Sequence, residues 1–209
     1  MTDSYRTIGQ PLEHEPDKIK GSRHIANLFP VQRVEQISEA LASVRARMPD
    51  ANHHAFAWRL GRGENDFRYS DDGEPGGSAG RPMLQQLDGH ELTDVLAVVT
   101  RYFGGTKLGT GGLVRAYGGA VKEALGRAEI IEVIPHAQLI VTHAYEDSGA
   151  IAGVLNQFDA QPSDADYDAG VTVTLSVPQD QADALARAIR DATAARAKVC
   201  VMPSDRATP

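Results

Sequence analysis

Two short stretches of this chain concentrate glycine, and they restrict what the whole can fold into. Gly73–Gly80 (GEPGGSAG) carries four glycines in eight residues, and Gly104–Gly112 (GGTKLGTGG) carries five in nine. Each follows a strand-like segment and leads into a segment of helical period. Glycine reaches positive φ and lets another backbone or a ligand come close. The chain must therefore run strand, tight loop, helix, twice over. A helix N-terminus presents unpaired N–H groups and a partial positive charge. Set behind a glycine loop, it is a site for an anion.

Hydrophobic period supplies the elements around the loops. Residues 1–12 read as a flexible lead-in, and Lys18–Val31 (KIKGSRHIANLFPV) as a strand ending at Pro30. Val34, Ile37, Leu41, Val44 and Met48 recur at three and four residues, which predicts an amphipathic helix over Gln32–Met48. Pro49-Asp50 stops it. His54–Leu60 alternates like a strand, Gly61–Asp66 is a turn, and Phe67–Ser70 is a short strand before the loop Asp71–Gly80. A helix over Pro82–Leu87 takes proline in its first turn. Asp94–Phe103 contains the apolar run Val95–Val99, which predicts a central strand covered on both faces. Leu113–Leu125 is a helix that buries Leu113, Tyr117, Val121 and Leu125 and carries Arg115 and Lys122 on another face.

A boundary falls near Arg127–Val133. Beyond it the order is strand (Ala137–Ala144), helix (Asp147–Phe158, capped by Asp147 or Ser148), strand (Ala160–Tyr167), strand (Val171–Val177), helix (Gln179–Ala194) and strand (Lys198–Met202). This β-α-β-β-α-β order is ferredoxin-like, and it hosts many unrelated functions. The fold class is α+β, with domains at 1–130 and 131–209 and a frayed tail at 204–209.

Charge is uneven along the chain. The net charge is −7, but residues 1–130 carry only −1 and residues 131–209 carry −6. Between Arg101 and Lys122 stand four cations, Arg101, Lys107, Arg115 and Lys122, and no Asp or Glu. Local field steers a ligand more than net charge does. A protein that coats long duplex DNA non-specifically is more basic overall. The candidate anion and nucleic-acid contacts are therefore Gly76, Gly77, Ser78, Arg81, Arg101, Thr106, Lys107, Thr110, Gly111 and Arg115. Tyr102 and Phe103 offer rings for stacking, although their place beside a buried strand puts at least one in the core. Arg81 and Arg101 can equally brace the acids of the first loop. Asp71, Asp72 and Glu74 can take Mg²⁺ or cap the loop and pair with Arg101; the structural role is favoured.

No catalytic residue, metal site or cofactor is assigned. Neither loop is a P-loop, and neither is a dinucleotide fingerprint with its downstream acid. His53 and His54 are adjacent on a strand and point to opposite faces. Ser78 lacks a nucleophile elbow, and Cys200, alone in an apolar strand, reads as inert core. A single cysteine forms no intrachain disulfide, no apolar run is long enough to span a membrane, and the polar acidic N-terminus is no signal peptide. A cytoplasmic protein is expected.

The run Asp71–Leu125 closely resembles the signature of the IMPACT family, in its bacterial YigZ-like branch. DGEPGGSAGRP (72–82) and VTRYFGGTKLGTGGLVRAY (99–117) are long and specific, and 18–31 and HHAFAWRLG (53–61) resemble the family's first strands. Ala55 stands where a cysteine is frequent, and Gly118-Gly119 where a small hydroxyl residue is usual. The resemblance implies an N-terminal ribosomal-protein-like βαβ domain, similar to domain IV of elongation factor G, followed by a ferredoxin-like domain similar to its domain V. It also implies translational regulation, since eukaryotic relatives bind the activator of an amino-acid-starvation kinase. The expectation is a non-catalytic, translation-associated regulator that binds RNA, the ribosome or another phosphate-rich partner. Two alternatives stand beside it. One is an enzyme acting on a phosphorylated small molecule or nucleotide, because the same fold superfamily includes small-molecule kinases. The other is a protein-interaction module in the stress regulation of translation.

Overall fold

A computed structural model of the chain describes residues 4–61, 63, 66–168 and 170–203. The expected tail at 204–209, the first three residues of the lead-in and part of the 61–66 turn lie outside the described residues. The chain divides into two compact units, one covering Tyr5–Glu132 and the other beginning at Val133.

In the first unit the elements are β1 (Tyr5–Ile8), β2 (Leu12–His14), β3 (Arg23–Pro30), α1 (Val34–Arg47), β4 (His53–Arg59), β5 (Phe67–Ser70), α2 (Gly80–Gly89), β6 (Val95–Tyr102), α3 (Thr110–Leu125) and β7 (Ile130–Val133). Five strands form one sheet in the order β2-β3-β6-β4-β5, and β1 pairs with β7 in a separate ribbon. The apolar run of β6 is central, as its composition predicts. Val95, Ala97 and Val99 face Met83, Leu87, Leu113, Tyr117 and Val121 of α2 and α3. Leu96 and Val98 face Ile37 and Val44 of α1 on the other side. Full burial of each such side chain contributes about 1.5–3 kcal/mol. α1 begins where the Gln36 side-chain oxygen accepts the Gln32 and Arg33 amides, at 2.7 and 3.1 Å. It ends before Pro49, where a ring without an N–H cannot continue the ladder.

The second unit runs β8 (His136–His143), a 3₁₀ turn (Tyr145–Asp147), α4 (Ser148–Gln157), β9 (Pro162–Asp166), β10 (Val171–Pro178), α5 (Gln179–Ala192) and β11 (Lys198–Pro203). Its sheet has the antiparallel order β11-β8-β10-β9, the ferredoxin-like arrangement. Leu139, Val141, Val173 and Leu175 pack under Ile151 and Leu155 of α4 and Leu185 and Ile189 of α5.

Several expectations are corrected. The lead-in holds two strands, because β1 and β2 find their partners, β7 and β3, far along the chain or across a turn. α2 and α3 begin two and three residues early, so Thr110, Gly111 and Gly112 belong to the first turn of α3. Asp147 is the N-cap residue of α4, one of the two positions expected, but its side chain makes no capping bond and its carboxylate pairs with Arg196. Cys200 is exposed, not core. It pairs in register with the half-buried Ile140, whose neighbours Leu139 and Val141 take the covered side of β8.

Candidate anion and nucleic-acid interface

Pairing register sets the base of the site. His24 on β3 lies opposite Arg101 on β6, and Arg101 lies opposite His53 on β4. Directly paired residues share a face, so the three form a row across the sheet. The row closes the end of the core that α2 and α3 cover. Above it the first loop delivers Glu74. Arg101 Nη1 and Tyr117 Oη both donate to Glu74 Oε1, each at 2.6 Å, and His53 Nε2 stands 3.9 Å from the same oxygen. Glu74 and Arg101 are buried, and Tyr117 is fully so. Burial, and then the Glu74 carboxylate, push the Tyr117 phenol above its ordinary range. The His24 ring meets Tyr117 edge-on at 5.3 Å. Burial first, and then the Arg101 charge, lower its pKa to about 4.

The first loop is tied to itself as well. Asp71 Oδ2 accepts the Gly77 amide at 2.8 Å, and Oδ1 accepts those of Ala79 and Gly80 at 2.9 Å. Burial alone pushes the Asp71 carboxyl up, but these three donors outweigh it and hold the group below its ordinary value. Asp72 takes the His54 amide at 2.6 Å and Arg45 at 3.2 Å. The amides at the start of α2 thus already hold a carboxylate.

α3 starts differently. Its N-cap is Gly109, at φ 72°, where a side chain would be strained, and no side chain among the described residues caps the helix. Its first turn carries no acid. Gly105–Lys107, Gly109–Gly111 and Arg115 are exposed. Gly104 anchors the loop: a Cβ there would lie 1.9 Å from the Gly21 carbonyl carbon, so only glycine permits the approach. The Gly104 amide donates to Ser22 Oγ at 3.1 Å. The turn that bears exposed Lys18 and Lys20 is thereby brought against the second loop. Phe103 is 46% exposed, its amide held by Asn52 Oδ1 at 2.7 Å and its ring 5.6 Å from the Arg101 guanidinium carbon.

The Impact N-terminal domain matches residues 20–125. A domain of unknown function, DUF1949, matches residues 141–196. The IMPACT family member YigZ of Escherichia coli K12 is 41% identical over 164 residues, 78% of this chain and 80% of that protein. The chain belongs to the IMPACT family. The family member YvyE of Bacillus subtilis is 42% identical over 132 residues, 63% of this chain and 60% of that one. A crystal structure described as that of a hypothetical protein is 34% identical, covers 98% of this chain and all of its own, and superposes with a TM-score of 0.69.

The two long IMPACT strings therefore do two jobs. Glu74, Arg101 and Tyr117 converge as a buried clamp. Thr106, Lys107, Thr110, Gly111 and Arg115 stay on the surface in one stretch. Arg81 is exposed at the start of α2, next to Pro82, against which Gly118 of α3 packs. Three expected contacts are corrected. Arg101 spends its charge on Glu74, in a site too buried to meet a partner. The Gly77 amide is held by Asp71, and the Ser78 hydroxyl donates to the Pro75 carbonyl at 2.6 Å while almost fully buried. Gly76 is exposed, but it stands in the loop that Asp71 encloses. Tyr102 is part-buried, its ring 5.2 Å from the Arg23 guanidinium carbon. Sequence reasoning missed Lys18 and Lys20. Their signal is Gly21, where a Cβ would lie 2.8 Å from the carbonyl oxygen of Gly104, distant in sequence.

Proposed function

We propose that this protein is a cytoplasmic, translation-associated regulator that binds RNA through the amino end of α3 and the cations beside it. The observation that carries this reading is the contrast between two glycine loops. At α2 an internal carboxylate fills the amides. At α3 the N-cap, Gly109, has no side chain, and among the described residues no carboxylate accepts the amides of the first turn. A bare helix N-terminus favours an anion and donates to it. Lys107 and Arg115 add mobile and forked charge, Thr106 and Thr110 add hydroxyls, and Arg81, Lys18 and Lys20 surround the stretch. Membership of the IMPACT family supports the translational setting. The first loop serves as the scaffold that orients this face.

Co-sedimentation with ribosomes, at low and high salt, tests the reading. Wild type is expected in the ribosomal fraction at low salt and released at high salt, while Lys107→Ala/Arg115→Ala stays in the supernatant at both. Equal sedimentation of the two proteins at low salt would remove this face from the contact.

A further inference from the structure

Phe103 stands at the entrance of the second glycine loop, and the contacts proposed for RNA make no use of it. β6 ends at Tyr102, and side chains alternate between faces along a strand. Continuing that alternation by one residue puts Phe103 on the face of Val99 and Arg101, the face that α2 and α3 cover. The Arg101 guanidinium lies over the ring, its central carbon 5.6 Å from the ring centroid. One face of the ring is thus occupied from inside the protein, yet the residue is 46% exposed. The exposed area therefore falls on the other face and the rim. The neighbouring ring, Tyr102, is already engaged: its hydroxyl donates to Asp50 at 3.0 Å, and the Arg23 guanidinium lies over it at 5.2 Å.

The backbone around Phe103 is fixed on both sides. Asn52 Oδ1 accepts the Phe103 amide at 2.7 Å, and the Asn52 amide donates to the Arg101 carbonyl at 3.0 Å. The Gly104 amide donates to Ser22 Oγ at 3.1 Å. Ser22 closes a tight turn with Ile19, through two backbone bonds of 3.0 Å, and Lys20 and Gly21 at its tip have φ 49° and 81°. Exposed Lys20 is thereby tied to the residue after Phe103, and exposed Lys107 follows in the same loop. No acid occurs between Arg101 and Lys122. A ring already held in place loses little freedom when a partner covers it. Among lysines, the partner that suits an open aromatic face is a planar group on a polyanion, because bases stack on the ring while their phosphates meet the cations.

We infer that Phe103 is a stacking platform for an unpaired nucleobase, so that the RNA taken by this face is single-stranded at that point. The base covers the open face of the ring, and the adjoining phosphates lie toward Lys20 and Lys107. The inference rests on the reading that the start of α3 binds RNA, and it adds the class of RNA. A duplex offers the same phosphates, but its bases are already stacked on one another and present no free face to the ring.

The probes are a single-stranded RNA oligonucleotide and the same strand annealed to its complement, each read by fluorescence anisotropy across a salt series. The proteins are wild type, Phe103→Ala, Phe103→Leu and Phe103→Trp. Phe103→Ala and Phe103→Leu should each weaken the single strand about tenfold and leave duplex affinity unchanged. The slope of log affinity against log salt should stay that of wild type, because no phosphate contact is lost. Phe103→Trp should bind the single strand as tightly as wild type, and the emission it adds to that of Trp58 should be quenched by the single strand but not by the duplex. Wild-type affinity in Phe103→Leu would mean that apolar bulk acts rather than a ring face, and it would overturn the inference. Equal losses for single strand and duplex, or no loss in either Phe103→Ala or Phe103→Leu, would overturn it as well. The reading of the α3 start is separable: it stands in those cases if Lys107→Ala/Arg115→Ala still weakens RNA binding, and it falls together with the inference if wild type binds neither probe.

Discussion

Tyr117 donates its phenol hydrogen to Glu74 Oε1 at 2.6 Å across 43 positions of chain. Arg101 reaches the same oxygen from the strand that precedes the second loop. One carboxylate from the first loop thereby fixes both the entry to the second loop and the helix that leaves it. Glu74, Arg101 and Tyr117 of the family signature are thus part of the scaffold, whereas Arg81, Lys107 and Arg115 face solvent.

The clamp makes a stability prediction. Removing one partner of a buried ion pair strands the other, at a cost of about 3–5 kcal/mol. Glu74→Ala should lose that much in urea denaturation. Tyr117→Phe keeps the ion pair and should lose only about 1.5–3 kcal/mol, the range for a hydrogen bond to a charged group. Lys107→Ala, at a residue that is exposed and in no ion pair among the described residues, should stay within about 0.5 kcal/mol of wild type. A Glu74→Ala protein as stable as wild type would mean that the buried pair does not hold the loops.

Asp71 predicts an acid-sensitive start to α2. Its folded-state pKa lies below its ordinary value of 3.8. The stabilisation is therefore fully present above that value and is lost as pH falls through the lower folded pKa. Asp71→Asn should destabilise the protein at neutral pH and flatten the steepest part of its acid-unfolding curve below pH 3.8. An unchanged curve would show that the three amides do not depend on the charge.

His24 acts in a higher window. Its folded pKa is lowered from 6.5 to about 4, so the ring is neutral in the folded protein at pH 5. Its contribution is complete above pH 6.5 and disappears as pH falls toward about 4, because the unfolded chain takes the proton first. In NMR the His24 ring should remain neutral to about pH 4, and stability of His24→Leu should vary less than wild type between those limits. A ring that titrates near 6.5 would contradict the buried row.

Gly104→Ala tests how the second loop is placed. The added carbon would lie 1.9 and 2.1 Å from backbone atoms of Gly21 and Ser22, which cannot rotate away. Overpacking of this kind costs about 1–3 kcal/mol or more. The substitution should lower both the unfolding midpoint and RNA affinity, whereas Gly111→Ala, in open space, should leave the midpoint near wild type.

Much of the fold is legible in the sequence because its signals are local. The run Val95–Val99 specifies a strand buried on both faces, and the spacing of Val34, Ile37 and Val44 specifies α1. β1 and β2 are short, and their pairing residues lie elsewhere in the chain, so no period reveals them. Cys200 misleads because KVCVM reads as core, although among the described residues α4 and α5 pack on the face opposite to Cys200. At the site, composition locates both glycine loops but does not separate them. Whether a helix start is bare or filled depends on where one nearby carboxylate turns, and Asp71 folds back onto the amides of Gly77, Ala79 and Gly80. Likewise Arg101 reads equally as a partner contact or as a brace for the first loop's acids until register puts it beneath Glu74.

The central claim is that the bare start of α3, with Lys107 and Arg115, contacts phosphate. It is tested most directly by the salt dependence of RNA binding in wild type and Lys107→Ala/Arg115→Ala. Each phosphate neutralised on a single strand adds about 0.7 to the slope of log affinity against log salt. The double substitution should therefore weaken binding and make the slope shallower by about 1.4. Equal affinities and parallel salt lines for the two proteins would contradict it.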